Sequence, residues 1–178
     1  MKKNLPTIRT AAGLRLSHNK LFPRCLMEVG RKERDMGHVI FRIPGKPQGK
    51  ARARTGYNPK AGRVTSRTPD NTVLYENLIK TCYMQATDLV FPEGTALAVR
   101  IDAYFEPAKS VSKKRREQML SGAERPTKKP DIDNIVKVVL DALNGLAYKD
   151  DTQVVRVFAQ KSYYYQSYVE VQIKTLEK

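Results

Sequence analysis

Apolar residues follow a regular pattern only from His38 onward. Alternation over HVIFRI and over TALAVRIDAYF predicts two strands. One face of the second strand should be buried, formed by Leu97, Val99, Ile101 and Ala103. The pattern alternates again over TQVVRVFAQKSYYY and SYVEVQIKTL, which we expect to pair with each other as a hairpin.

Three other segments have helical spacing. The first begins near Pro69, with Asp70 or Asn71 as its cap and an apolar face formed by Val73, Leu74, Leu78 and Cys82, with Met84 as a further candidate. SVSKKRREQMLSG predicts a short basic helix, and DIDNIVKVVLDALNG a helix ending at Gly145, which suits a C-cap. This order of elements predicts one α+β domain over residues 38–178, with a mixed β-sheet packed against helices.

Residues 1–37 differ from the rest of the chain. They contain nine basic and three acidic residues with poor apolar periodicity, so we expect little fixed structure there. Two hypotheses stay open for this segment. Translation starts naturally at Met36 and the segment is not native, or the segment is a basic arm that binds phosphates.

Charge narrows the functional classes. The chain has 33 Lys and Arg against 18 Asp and Glu, a net charge of +15 and a pI near 9.9, which is typical of nucleic-acid-binding proteins. The sequence has no long apolar run and no basic amphipathic helix, so its charge does not indicate a membrane-binding protein. Cys25 and Cys82 fit free thiols in a reducing cytosol, so we expect a cytoplasmic protein. His18 and His38 have no zinc-ligand spacing.

Basic residues gather in two runs that are candidates for DNA-backbone binding. GKPQGKARAR is only superficially similar to a nucleotide-binding phosphate loop, because it has one residue too few between its glycines and Ala51 where Ser or Thr would hold Mg²⁺. We therefore expect no nucleotide cofactor. The second run could also be an ordinary solvated helix face. The predicted DNA-binding residues are Lys46, Lys50, Arg52, Arg54, Lys113, Lys114, Arg115, Arg116, Lys128 and Lys129.

Five aspartates in this basic chain fall within KKPDIDNIVKVVLDALNGLAYKDD. Asp131 and Asp133 flank a predicted helix start, where one Asp would explain a cap and the second is unexplained. Asp133, Lys137 and Asp141 share one helical stripe. This stripe is either an ordinary solvated face or a site where a lysine lies beside carboxylates and can stabilise charge on a phosphate. Carboxylates that converge need a cation, and oxygen ligands suit Mg²⁺ or Mn²⁺. The alternative is that these aspartates are caps and turns.

The segment KKPDIDNIVKVVLDALNGLAYKDDTQVV resembles the signature of the RusA-type Holliday-junction resolvases, endonucleases of phages and prophages. FRIPGKPQGKARAR is similar to the same family, and the resemblance extends from about His38 to Leu176. It implies a homodimer that depends on Mg²⁺ and nicks four-way DNA junctions symmetrically.

The resemblance also implies site residues. Asp131, Asp133 and Asp151 would bind the metal, and Lys137 matches the active-site lysine. Asp150 is an additional candidate, because the turn NGLAYK is shorter than in some members. The tyrosines of YYY, residues 163–165, could stack on bases, although strand alternation should bury at least one ring.

Two other functions stay open. The chain could be a DNA-binding protein without catalytic activity, or a metal-dependent nuclease that acts on flaps or other branched DNA. Metal-dependent cleavage would distinguish a resolvase from a non-catalytic DNA-binding protein. The geometry of the preferred substrate would distinguish it from a nuclease for flaps or other branched DNA.

Overall fold

The structure is a computed structural model that describes residues 37–59 and 62–176, apart from the side chains of residues 54, 58 and 65. Its elements are β1 (His38–Pro44), β2 (Arg54–Asn58), β3 (Arg63–Arg67), α1 (Asp70–Ala86), β4 (Leu97–Phe105), α2 (Lys113–Leu120), α3 (Ile132–Leu143), β5 (Val154–Tyr163) and β6 (Tyr168–Thr175). Residues 1–36 lie outside the described residues, so the expectations for the basic N-terminal segment, including Cys25 and Met36, stay predictions.

Four strands form a mixed sheet in the order β1-β6-β4-β5. Strand β6 runs antiparallel to both of its neighbours, whereas β5 runs parallel to β4. The predicted β5–β6 hairpin is therefore wrong, because β4 lies between these two strands. Strand β4 is one of the two inner strands, and seven of its nine side chains are buried. The connection at residues 164–167 crosses the end of β4.

The hydrophobic core lies between one face of this sheet and helices α1 and α3. The four residues predicted to be buried on β4 are indeed buried. Helix α3 contributes Ile135, Val138, Val139, Ala142 and Leu143. These residues recur at helical spacing, so α3 keeps its other face polar and exposed. That exposed face carries the predicted site residues.

The predicted apolar face of α1 is wrong. Val73, Leu74 and Met84 are 40%, 66% and 54% exposed, while Leu78 and Cys82 are only partly buried. The buried residues are instead Thr72, Tyr75, Ile79 and Tyr83. Two of these residues are tyrosines, because an aromatic ring packs in a core as well as an aliphatic side chain does. The Tyr83 hydroxyl donates to the carbonyl of Leu89 at 2.6 Å.

The predicted caps of α1 are also wrong. The helix begins at Asp70, and Pro69 occupies the cap position without a side-chain hydrogen bond. Asp70 pairs instead with Arg67 at 2.7 Å. Sequence analysis also missed the separate β2–β3 pair, whose two short polar strands flank a turn containing Gly62.

The remaining elements agree with their predictions. Helix α2 begins after Ser112, whose hydroxyl accepts a hydrogen bond from the Arg115 amide at 3.4 Å. Gly145 follows α3 with a φ of +70°, a left-handed conformation that glycine adopts readily. The fold is α+β with a mixed sheet, as predicted. Over the described ranges, no helix is long and apolar enough to cross a membrane.

Candidate active site

The first two predicted site residues lie where α3 begins. Asp131 immediately precedes the helix in an extended conformation, and its side chain makes no capping hydrogen bond. Asp133 lies in the first turn. Both residues are exposed, and neither forms an ion pair or hydrogen bond with another described side chain. A side-chain cap therefore does not account for these carboxylates, which are available to a ligand.

A lysine from β5 holds the chain that leads into α3. The Lys161 ammonium donates to the carbonyl oxygens of Lys128 at 2.7 Å and of Pro130 at 3.0 Å. It therefore places a positive charge beside the segment that carries Asp131. Sequence analysis missed Lys161. The available signal was a lysine on the strand face that also carries Val157 and Ala159.

The basic loop after β1 packs tightly against the same helix start. The Lys50 amide donates to the Asn134 carbonyl at 2.8 Å. A Cβ atom on Gly49 would lie 2.9 Å from the Asn134 Cβ and 3.1 Å from the Pro130 Cβ. Only glycine lets the loop backbone approach this closely, so the loop packs directly on the start of α3.

The Lys50 side chain joins this loop to both helices. Its ammonium lies 2.6 Å from Glu76 on α1 and 2.8 Å from Asp141 on α3, and the lysine side chain is 24% exposed. Burial lowers the pKa of Lys50, but hydrogen bonds and charge attraction from Asp141 and Glu76 outweigh it and raise the pKa above its usual value. The lysine stays charged, and its charge is already neutralised within the fold. We therefore assign it a structural contact in addition to its predicted DNA-binding role.

The predicted stripe on α3 divides into two parts. Asp141 pairs with Lys50 rather than with Lys137, although Lys137 lies one turn away on the same helix. Lys137 is exposed and has no hydrogen bond or ion pair with the other described residues. The simple intrahelical pair between Asp and Lys is therefore absent, and Lys137 remains free to contact a phosphate.

The second pair of predicted carboxylates follows α3. Asp150 precedes a short 3₁₀ turn at Asp151–Gln153, and its carboxylate accepts a hydrogen bond from the Thr152 amide at 3.3 Å. A hydrogen bond with Asp150 is the main cause that raises the pKa of Asp151, followed by burial and by the negative charges of Asp150 and Asp141. These acidic groups repel one another where they stand, and a cation would relieve that repulsion.

Within one chain, the two carboxylate pairs are far apart. Lys161 near the end of β5 contacts the chain at the start of α3, whereas Asp151 precedes the start of β5. About eight strand residues separate these positions, or roughly 25 Å. Among the described residues, no three His, Cys, Asp or Glu side chains lie close enough to hold a metal ion. The chain therefore does not bring Asp131 and Asp133 together with Asp151, and the predicted ligand set stays a prediction.

Most of the predicted DNA-binding cations are exposed. Lys46, Arg52, Lys113, Lys114, Lys128 and Lys129 point to solvent, and Arg116 is half-buried. Arg115 instead forms two hydrogen bonds with Glu124, at 2.8 and 3.0 Å. The side chain of Arg54 lies outside the described part of the chain. Exposed positive charge therefore leads along α2 and the following loop to Asp131.

Carboxylates and a lysine without partners among the described side chains lie beside a run of exposed cations. Enzymes that hydrolyse nucleic acids combine these features. The family model described as Endodeoxyribonuclease RusA matches residues 44–174, and the chain belongs to this family. The family acts on Holliday junctions as an endonuclease, which confirms the resemblance seen in the sequence.

A relative in Bacillus subtilis (strain 168) carries the description Uncharacterized protein YqaN. It is 34% identical to this chain over 140 residues, which cover 78% of this chain and 97% of the relative. The similarity therefore extends over nearly the whole relative.

Proposed function

We propose that this chain is a Mg²⁺-dependent endodeoxyribonuclease that resolves four-way DNA junctions by paired, symmetric nicks as a homodimer. The observation that carries the proposal is the exposed pair Asp131 and Asp133, which lack internal partners beside the equally free Lys137. In a chain of charge +15, two unpaired carboxylates are best explained by a cation that they bind together with DNA.

The donor chemistry at this site fits Mg²⁺, with Mn²⁺ as a substitute. Both groups are carboxylates, and hard divalent cations prefer oxygen ligands. A bound Mg²⁺ would lower the pKa of an attacking water and neutralise charge on the scissile phosphate. Lys137 would stabilise the negative charge that develops on the phosphate. The exposed cations of α2 and of the loop after β1 would hold the DNA backbone on either side.

A second copy of the chain would supply the missing carboxylate. Strand β5 is an edge of the sheet, and no described strand pairs with its outer side. It is 10 residues long and exposes Val155, Val157 and Phe158. A long edge strand of this kind invites pairing with another strand.

Two-fold pairing of β5 with its copy would be antiparallel, so the beginning of one strand would lie beside the end of the other. Asp151 precedes β5, and Lys161 near its end contacts the segment leading to Asp131. This pairing would therefore bring Asp151 of one protomer towards Asp131 and Asp133 of the other. It would also give the dimer two sites related by the symmetry of a four-way junction.

Cleavage of a labelled four-way junction tests the function. The wild-type chain should make paired nicks at symmetric positions in Mg²⁺ and none in excess chelator, with linear duplex and flap DNA as parallel substrates. Binding without cleavage in Mg²⁺ or Mn²⁺ would indicate a non-catalytic DNA-binding protein. Preferred cleavage of the flap would indicate a nuclease for other branched DNA.

A further inference from the structure

The sheet has a second face, which points away from α1 and α3. Alternate residues of β4 and β6 lie on it, including Arg100, Asp102 and Tyr104 on β4 and Tyr168 on β6. The proposed chemistry at the start of α3 uses none of these residues. At one end of this face, aromatic side chains replace the charged ones.

Four tyrosines form one continuous cluster at that end. The rings of Tyr104 and Tyr168 are stacked, with centroids 4.6 Å apart and planes 30° apart. Tyr164 packs edge-on against both, at 5.6 and 5.9 Å. Tyr165 packs edge-on against Tyr164 at 5.5 Å. The two inner rings are half-buried and support the outer two, which are 45% and 67% exposed.

The backbone holds the two outer rings in place. Tyr164 and Tyr165 lie on the connection from β5 to β6, which crosses the end of β4. The Tyr164 amide donates to the Phe105 carbonyl at 2.9 Å. The Glu106 amide donates to the Ser167 hydroxyl at 2.9 Å. Because both sides of the connection are tied to the end of β4, the exposed rings are fixed before any ligand binds, which lowers the entropic cost of binding.

The cluster lies at the same end of the sheet as the candidate active site. Lys161, three residues before Tyr164, contacts the carbonyl of Pro130, the residue before Asp131. The Arg42 guanidinium lies 5.2 Å from the centroid of Tyr168 and also pairs with Glu170 at 2.7 Å. This end of the sheet therefore carries flat aromatic rings on one face and the candidate active site on the other.

We infer that Tyr164 and Tyr165 form a stacking platform for unpaired DNA bases, a role that rests on the proposed action of the chain on branched DNA. Paired bases in a duplex are already stacked on each other and cannot cover these rings. Bases released at a branch point or in a single strand can stack on aromatic rings regardless of sequence. Two exposed rings are a small patch compared with the roughly 800 Å² that each partner buries in a stable protein interface. The net charge of +15 favours a polyanion over a second copy of this basic chain.

Single-stranded DNA binding tests this inference. Tyr164→Leu and Tyr165→Leu remove the flat ring, whereas Tyr164→Phe and Tyr165→Phe keep it. The affinity of a fluorescein-labelled oligo-dT is measured by anisotropy, in parallel with a linear duplex and with the oligomeric state. Ile40→Ser is the matched control, since Ile40 lies on the same face at the other edge of the sheet and is 49% exposed. Thermal melting confirms that each variant is folded.

The inference predicts that each Leu variant binds oligo-dT at least about fivefold more weakly. The affinity of the Leu variants for duplex DNA should stay within about twofold of the wild type, and so should the salt dependence of binding, since stacking releases no counterions. The Phe variants and Ile40→Ser should bind oligo-dT within about twofold of the wild type. Because the chain contains no tryptophan, quenching of its tyrosine fluorescence by oligo-dT should also fall in the Leu variants. Unchanged oligo-dT affinity, or equal losses on duplex and single strand, would overturn the platform while leaving the nuclease proposal intact. A change of oligomeric state with unchanged oligo-dT affinity would instead identify a subunit interface.

Discussion

The two ends of α3 carry the same types of charged residue in opposite circumstances. At the start, Asp131, Asp133 and Lys137 are exposed and have no partners among the described side chains. At the end, Asp141 is neutralised by Lys50, which also pairs with Glu76. Charges that the fold neutralises stabilise the fold, whereas charges that it leaves free are available to a ligand. Residue type alone does not separate these roles, but the internal partners do.

The largest effect is expected from the free carboxylates. Asp133→Asn removes a negative charge that we assign to metal binding, so junction cleavage in Mg²⁺ should fall at least about 100-fold. Junction affinity should be unchanged or higher, because repulsion from the phosphates is lost. Gel-based cleavage and anisotropy measure the two quantities. Asp88→Asn, an exposed aspartate far from α3 in sequence, is the matched control. Full cleavage by Asp133→Asn would remove this residue from the metal site.

Lys137 should give the next largest effect. Lys137→Ala removes the positive charge that we propose stabilises the negative charge developing on the phosphate. The rate of cleavage at saturating enzyme should therefore fall about 100-fold. Junction affinity should change by less than about threefold, since one phosphate contact among many is lost. Single-turnover kinetics separate rate from affinity. Lys114→Ala, which removes an exposed lysine of α2, should show the reverse pattern, with weaker binding and a nearly normal rate. A normal rate for Lys137→Ala would contradict the assignment.

Lys50 should affect stability more than DNA binding. Lys50→Met leaves Glu76 and Asp141 without their shared cation, so the free energy of unfolding should fall by about 1.5–3 kcal/mol. Urea denaturation measures this change. Lys46→Met, four residues away and exposed, should stay within about 0.5 kcal/mol of the wild type. Equal stabilities for the two variants would show that the ion pairs contribute nothing to folding.

The smallest effect concerns Asp151 and depends on pH. Its pKa is raised in the folded chain, first by the hydrogen bond with Asp150. A carboxyl group with a raised folded pKa contributes stability below its unfolded pKa of about 3.9, and the contribution is lost as the pH rises through the folded value. Asp151→Asn should therefore raise the free energy of unfolding at pH 7 by about 0.2–1 kcal/mol, and the gain should vanish below about pH 4.

Urea denaturation at pH 7 and pH 3.5, without divalent metal, tests this prediction. Asp88→Asn serves again as the control for the loss of an exposed aspartate. Lower stability of Asp151→Asn at pH 7 would show that the carboxylate is favourably paired instead.

The sequence predicted the α+β class, α3 and the strand character of β1, β4, β5 and β6, because their apolar periodicity is strong. It did not predict which strands pair. Strands that follow each other in the chain suggested a hairpin, but β4 lies between β5 and β6. The alternation of apolar residues along a strand determines which residues share a face, but it does not determine which other strand pairs with it. The buried face of α1 was wrong because it is built on tyrosines, whose rings pack as well as aliphatic side chains.

The candidate site could be predicted only in part. The spacing of Asp131, Asp133 and Lys137 identified one end of α3. The roles of Lys50 and Lys161 depend on contacts between residues 26 to 91 positions apart in the chain, and local sequence does not encode such contacts. The distance between Asp131 and Asp151 likewise follows from the contact of Lys161, near the end of β5, with Pro130, while Asp151 precedes the start of that strand. This distance is the reason to propose that two protomers share each site.

Mixed dimers test the shared site most directly. One protomer carries Asp133→Asn, its partner carries Asp151→Asn, and the two are co-expressed with different tags and purified through both. If each site combines residues of two protomers, one of the two sites in the mixed dimer is intact, and the dimer nicks the junction in Mg²⁺ at about half the wild-type rate without paired cuts. Both variants as pure homodimers should be inactive. A mixed dimer as inactive as either homodimer would contradict the account, because it would place all essential carboxylates of a site in one chain.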